Sequence, residues 1–321
     1  MSSENAQKEN LISFYTDSLI TNLKTCKVIK LHESLINNIS FSPDGNKILT
    51  SGNDNLICLY SFSKNEKKHL VNNIYGCDKA IFTHNTNAIL VASKTDYRIM
   101  YWCIHSNEIL FSFKCHSNTI TELILNPVND LFISSSLDGT SCIWDLNLRK
   151  CAFMFEDSQC CNFDTKGEIV LSVTNAFIKQ KEIYENFINV YNLNEMNEKP
   201  KVFSVKCKNI IKQIKYTTDN EKIICISENN LFILNSENGK FIYNIEILED
   251  NLVKFDITPD NKYIAIGGED GDIMIYDMKG KNLKNYEFHT KSCNCLIFNK
   301  KYALMASSDD SNLVLWIPSE N

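Results

Sequence analysis

Arginine is almost missing from this chain: of its 321 residues, only Arg98 and Arg149 are arginines. Bidentate contacts to phosphates or base edges therefore have few donors. A net charge of -6 and a pI near 5.6 also remove the positive field that nucleic acid would need. Direct, sequence-specific nucleic-acid binding is not expected. Glycine (10) and proline (5) are scarce for a chain rich in β-type runs, but about 40 asparagines can take their turn positions. No run of 18 apolar residues occurs, so no membrane-spanning helix is expected. The opening MSSENAQKEN is polar and lacks the apolar core of a signal peptide. With thirteen cysteines scattered through apolar runs, this reads as a soluble protein of a reducing, intracellular compartment.

Motifs for catalysis are lacking too. There is no Gly-rich phosphate loop, no GxSxG, no HExxH and no CxxC, so no catalytic residue, cofactor or metal is expected. Cys293-x-Cys295 and the adjacent Cys160-Cys161 are core thiols on composition, with metal ligation the lesser alternative. His84, His105 and His289 invite an acid–base reading, yet His289 falls at a repeat position and reads as structural. Lysines cluster at Lys64, Lys67, Lys68 and at Lys206, Lys208, Lys212, Lys215. These are solvated turns and strand faces, or else contacts for an acidic or phosphorylated peptide.

What is present is a repeat. The stretch Cys115 to Leu146, CHSNTITELILNPVNDLFISSSLDGTSCIWDL, opens with His116 and crosses an apolar run to the turn Asn126-Pro127. It continues through Leu131 to Ser134 and the tight turn at Asp138-Gly139, and closes on Trp144-Asp145. Short strands divided by turns, with His and Trp-Asp at the two ends, are the signature of one WD-repeat propeller blade. His116, Ser134, Asp138 and Trp144 can join in one hydrogen-bonded chain, which satisfies groups that are costly to bury singly. The closing position recurs at Tyr60, Trp102, Trp144, Tyr191, Leu234, Tyr276 and Trp316, at intervals of 40 to 47 residues. Six residues earlier stands Asp54, Asp96, Asp138, Asp270 or Asp310. His32, Thr50 and Asp54 repeat the offsets of the central blade. The register predicts an all-β, seven-bladed WD-repeat β-propeller.

Residues 1–10 read as a disordered tail, and residues 11–321 as a single propeller. Thr16 to Leu23 has a cap and predicts a short helix. Cys26 to Ile29 reads as a strand that closes the ring against Leu313 to Trp316, removing an open edge. Repeats 4 and 5 are the irregular ones. Repeat 4 lacks the Asp and carries an insertion, Asn175 to Asn186, beside its second and third strands, while repeat 5 has Glu228 and Leu234 at the Asp and aromatic positions. Packing and neighbouring blades are expected to hold both.

Several stretches go beyond the blade pattern. They are Tyr75-Gly76-x-Asp78, Phe82-Thr83-His84, His105-x-Asn107, Asn126-Pro127-Val128-Asn129-Asp130, Gly268-Glu269-Asp270-Gly271 and Trp316-Ile317-Pro318. In these the chain resembles the WD-repeat subunit shared by the COMPASS histone H3 lysine methyltransferase and by mRNA 3′-end processing or protein phosphatase 1 assemblies (the Swd-two family). The resemblance runs from Asp17 onward and is densest between residues 75 and 146. It departs at Cys115, where a Gly usually precedes the His, and at the insertion. What it implies is a nuclear, non-catalytic scaffold, monomeric within a larger complex. The implied partners are the methyltransferase catalytic subunit and a cleavage/polyadenylation or phosphatase scaffold subunit, with the phosphorylated RNA polymerase II tail as a further candidate. The competing class is a WD-repeat substrate adaptor or assembly scaffold of another complex, such as a ubiquitin ligase. Candidate partner-binding residues are Tyr75, Asp78, Lys94, Tyr97 and Arg98, in turns gathered at one end of blade 2. The plainer alternative is that Tyr75 and Asp78 only shape a turn.

Overall fold

Four-stranded antiparallel sheets recur seven times in the computed structural model, which describes residues 15–71, 74–179, 181–196, 198–247 and 251–319. Six sheets are meanders of four consecutive strands, as in blade 1: Ile36–Phe41, Lys47–Gly52, Leu56–Ser61 and Glu66–Val71. Blade 3 runs Ile120–Leu125, Leu131–Ser136, Ser141–Asp145 and Lys150–Phe155. The seventh sheet joins the N-terminal strand Leu23–Lys30 to the last three strands of the chain, so the ring closes without an open seam. The expected disordered tail, residues 1–10, lies outside the described residues.

Each blade is wedged between two others, which explains the runs of apolar residues in its inner strands. Lys47–Gly52 is buried from Ile48 onward, whereas the outer strand Glu66–Val71 exposes all but Leu70. The core accordingly lies between sheets: Leu49, Ile57 and Leu70 of blade 1 pack on Phe82, Ile89 and Val91 of blade 2. Asparagine does supply turn conformations that glycine otherwise would. Asn55, Asn65, Asn107, Asn220 and Asn261 all have positive φ.

At the N-terminus, Thr16 caps a helix of Asp17–Thr21 by accepting the Leu19 N–H at 3.3 Å. The helix is shorter than Thr16 to Leu23 because Leu23 already belongs to the closing strand. That strand pairs Thr25 with Trp316 and Ile29 with Leu313, with a bulge at Cys26. The Tyr286 hydroxyl fixes the approach, accepting from Leu23 N–H at 2.9 Å and donating to Ile20 O at 2.8 Å.

Two details correct the sequence reading. Asn175 to Asn186 is no insertion beside the strands of blade 4 but their continuation. Ile169–Ile178 and Ile183–Asn192 pair along their whole length, ten residues each, and the outer strand Lys201–Cys207 follows as far as Tyr184. In blade 7 the acid facing His289 is Asp309, not Asp310, which pairs instead with Lys291. The reason is where the acid sits in its turn. Asp138 stands four residues after Ser134 and six before Trp144, but Asp309 stands two after Ser307 and seven before Trp316, so counting back six from Trp316 stops one residue short.

Candidate interaction surface

Blade 3 carries a buried polar chain. His116 Nδ1 lies 3.1 Å from Asp138 Oδ2, and its Nε2 lies 2.7 Å from Ser134 Oγ. Trp144 Nε1–H donates to the same Ser134 oxygen at 2.8 Å. Burial opposes charge on Asp138. The Thr140 hydroxyl and the N–H groups of Ser117 and Thr140 outweigh it, with His116, and hold the carboxyl at about 2. Burial also lowers the His116 pKa, more than Asp138 raises it, so the imidazole is neutral at pH 7. A neutral ring that donates Nδ1–H to Asp138 accepts the Ser134 hydroxyl at Nε2. Ser134, His116 and Asp138 thus share the residue types of a hydrolytic triad, but Ser134 is fully buried beneath Trp144. The arrangement can brace a blade. It presents no hydroxyl to a substrate.

The other blades keep parts of this chain. In blade 1, His32 reaches Asp54 Oδ1 at 2.9 Å and Thr50 Oγ1 at 2.8 Å. Tyr60 turns outward instead, where its hydroxyl donates to Asn65 and accepts from Lys27 of the closing strand. In blade 7, His289 and Trp316 both meet Ser307, at 2.8 and 2.7 Å. In blade 2 the serine position is Val91, two residues on from the partner of the closing Trp, and Trp102 Nε1 is buried with no acceptor.

The candidate partner-binding residues mostly come together. Tyr75, in the connection into blade 2, stacks under the Arg98 guanidinium, 4.1 Å from ring centroid to Cζ. Its carbonyl accepts the N–H of Lys94 at 3.0 Å and the Ser93 hydroxyl at 2.9 Å. Tyr97 holds the turn in the left-handed region, φ 57°. Lys94 Nζ donates to Asn53 of blade 1 at 2.6 Å, and Ile74 beside the cluster is 76% exposed. Two residues behave differently from the sequence expectation. Arg98 is only 17% exposed and is paired with Asp96 of its own turn. Burial opposes charge on Asp96, but hydrogen bonds from Ser93 and Arg98 outweigh it and hold its pKa below the ordinary value. Asp78 is buried, its N–H given to Ala92 O and its carbonyl taken by the Ser51 hydroxyl, so it stands behind the surface. A polar residue two places after a glycine reads as part of a turn tip in sequence; here the chain is already turning inward.

Other sequence candidates lie apart from this cluster. Cys160, Cys161, Cys293 and Cys295 are buried. Among the described residues no group of three His, Cys, Asp or Glu side chains can hold a metal. His84 meets the carbonyls of Asn126 and Asn129 in the neighbouring blade at 3.0 and 3.1 Å. The lysine cluster after Lys206 is dispersed: Lys206 pairs with Glu185, Lys212 with Glu228, and Lys215 with Asp256 of blade 6 at 2.8 Å. Sequence reasoning missed the extended hairpin of blade 4, where Phe177 and Tyr184 stack at 4.9 Å with Phe177 half-exposed. The short apolar runs Ala176-Phe177-Ile178 and Ile183-Tyr184, on either side of a charged turn, were the available signal.

Seven sheets closed in a ring, with His–Ser–Trp struts inside blades 3 and 7, define a WD-repeat β-propeller. The WD domain, G-beta repeat family matches residues 23–61, 107–145, 249–277 and 280–316. Those spans cover blades 1, 3, 6 and 7, including all three that keep the histidine. The chain is similar over 94% of its length to WD repeat-containing protein 82 of Drosophila melanogaster, at 28% identity and covering 96% of that protein. It is 30% identical to the COMPASS component SWD2 of Saccharomyces cerevisiae over 62% of this chain and 58% of the relative. The Set1 complex component swd2 of Schizosaccharomyces pombe is 31% identical over 51% of this chain and 45% of the relative.

Proposed function

We propose that this chain is a non-catalytic scaffold subunit of a nuclear chromatin and transcription complex. In this reading it holds protein subunits of a Set1/COMPASS-type histone methyltransferase, and its 3′-end-processing or phosphatase counterparts, near transcribing RNA polymerase II. The observation that carries the reading is the end-to-end similarity to WD repeat-containing protein 82, joined by two relatives named as Set1 or COMPASS components. A rigid ring whose own serine–histidine chain is sealed inside a blade suits a part that positions others.

The docking end is the cluster of blade 2. Tyr75, held flat by Arg98, together with Tyr97 and Ile74, offers aromatic and apolar anchors, and Lys94 offers the charge for an acidic or phosphorylated group. Asp78 lies behind them and shapes the approach. Loss of the chain from cells should lower lysine methylation on histone H3 without changing the amount of free catalytic subunit. Unchanged methylation after complete depletion would contradict the reading.

A further inference from the structure

Blade 3 gathers four sulfur side chains at one edge. Cys142 is buried in the third strand, directly opposite Met154 of the outer strand. Cys151, on that outer strand, stands opposite Trp144; residues alternate faces along a strand, so it shares a face with Cys142. Cys115 lies in the connection just before His116, and its Sγ is 3.7 Å from Cys142 Sγ and 3.8 Å from Met154 Sδ. Cys142 therefore touches Cys115 and is hydrogen-bonded to Cys151, while both outer thiols are exposed. Most of the other thiols are buried in apolar surroundings.

We propose that Cys115, Cys142 and Cys151 form a peroxide-oxidisable thiol centre whose end product is a Cys115–Cys142 disulfide. Reactivity follows the thiolate. The hydrogen bond from Cys142 lowers the Cys151 thiol to about 7, against the effect of burial, so a large share is ionised at neutral pH. The same hydrogen bond and burial push Cys142 up, which makes it the proton donor of the pair.

Cys151 thiolate attacks one oxygen of hydrogen peroxide, the O–O bond breaks, and the products are Cys151 sulfenic acid and hydroxide. Sulfur is oxidised by two electrons and peroxide is reduced. Cys142 then attacks the sulfenic sulfur and its proton leaves with the hydroxyl as water, giving a Cys142–Cys151 disulfide. Cys115 gives its proton to the hydroxide, attacks Cys142 Sγ and expels Cys151 as thiolate. Two thiols and one peroxide become one disulfide and two waters, and Cys151 is regenerated.

The full chain, reduced and then treated with one equivalent of hydrogen peroxide, should lose the mass of two hydrogens. A non-reducing digest at low pH should contain a peptide linking Cys115 to Cys142. The rate should rise with pH through about 7. Cys151→Ser, at an exposed position, should slow cross-linking by about tenfold at pH 7. Cys115→Ser should stop the reaction at a Cys142–Cys151 link. Oxygen added to Cys26 or Cys151 with no cross-link, or an undiminished rate in Cys151→Ser, would overturn the proposal.

Discussion

Lys254 and Glu122 meet across the centre of the ring. Nζ lies 2.9 Å from Oε1 although the residues sit on the innermost strands of blades 6 and 3. Both occupy the register that faces the channel: Glu122 opposite Ser135, Lys254 opposite Gly267, as Asn38 stands opposite Ser51. Burial works against the Lys254 charge, and Glu122 first among its neighbours outweighs it and raises its pKa.

Removing only the carboxylate leaves an ammonium half-buried in the channel. Glu122→Gln should cost about 1–3 kcal/mol in urea unfolding. Adding Lys254→Met to it should restore part of that loss, because the stranded charge is then gone. Because the folded pKa of Lys254 is raised, the pair's contribution is complete below the ordinary lysine value of about 10.4. It is lost as pH climbs through the raised value. Additive losses in the double mutant would contradict the pairing.

Asp138→Ala should cost about 1–3 kcal/mol, since the N–H groups of Ser117 and Thr140 and the His116 ring lose their acceptor. The sign with pH is set by three depressed groups. Asp138 stabilises the fold above the ordinary carboxylate value of about 4, and that contribution fades as pH falls toward 2. His116 and His289 are also lowered, by burial foremost, so they too favour the fold above about 6.5 and penalise it below. Melting temperature should therefore fall from pH 7.5 to 5.5, and His116→Gln should flatten that slope.

Removing residues 1–30 should give oligomers by size-exclusion chromatography, because it bares the Asn312–Pro318 edge that Leu23–Lys30 covers. Removing residues 1–10 spares every contact from Tyr15 onward and should leave a monomer. A soluble monomer from the longer deletion would sink the closure argument.

On the proposed docking end, Lys94→Glu with Tyr97→Ala should abolish co-purification of partners at an unchanged melting temperature. Arg98→Ala should behave otherwise. It strips Asp96 of its cation and Tyr75 of its stacking partner, so it should lower stability as well as binding. Full partner recovery with Lys94→Glu and Tyr97→Ala would move attention to Phe177 and Tyr184 on the blade 4 hairpin.

Much of the ring was readable because blade chemistry is local. His116, Ser134, Asp138 and Trp144 lie within one repeat, and their spacing follows from strand length and turn type. The closing strand was readable from its apolar run and lack of a hairpin neighbour. Asp309 was not, because it stands seven residues before its Trp instead of six, and the adjacent Asp310 fills the counted position. The Arg98–Asp96 pair was hidden because it depends on the left-handed turn at Tyr97 between the two residues, which the sequence does not mark. Lys254 and Glu122 are 132 residues apart, and only the closed ring makes them neighbours. The sulfur cluster of Cys115, Cys142 and Cys151 likewise needs the face of a folded blade.

Affinity purification of the tagged full-length chain from nuclear extract, followed by mass spectrometry, tests the proposal that this propeller holds a Set1-type methyltransferase assembly together. A SET-domain methyltransferase subunit should be recovered, with cleavage-factor or phosphatase scaffold subunits, and should be lost with Lys94→Glu and Tyr97→Ala. Recovery of cullin-type ubiquitin ligase components in their place would contradict it.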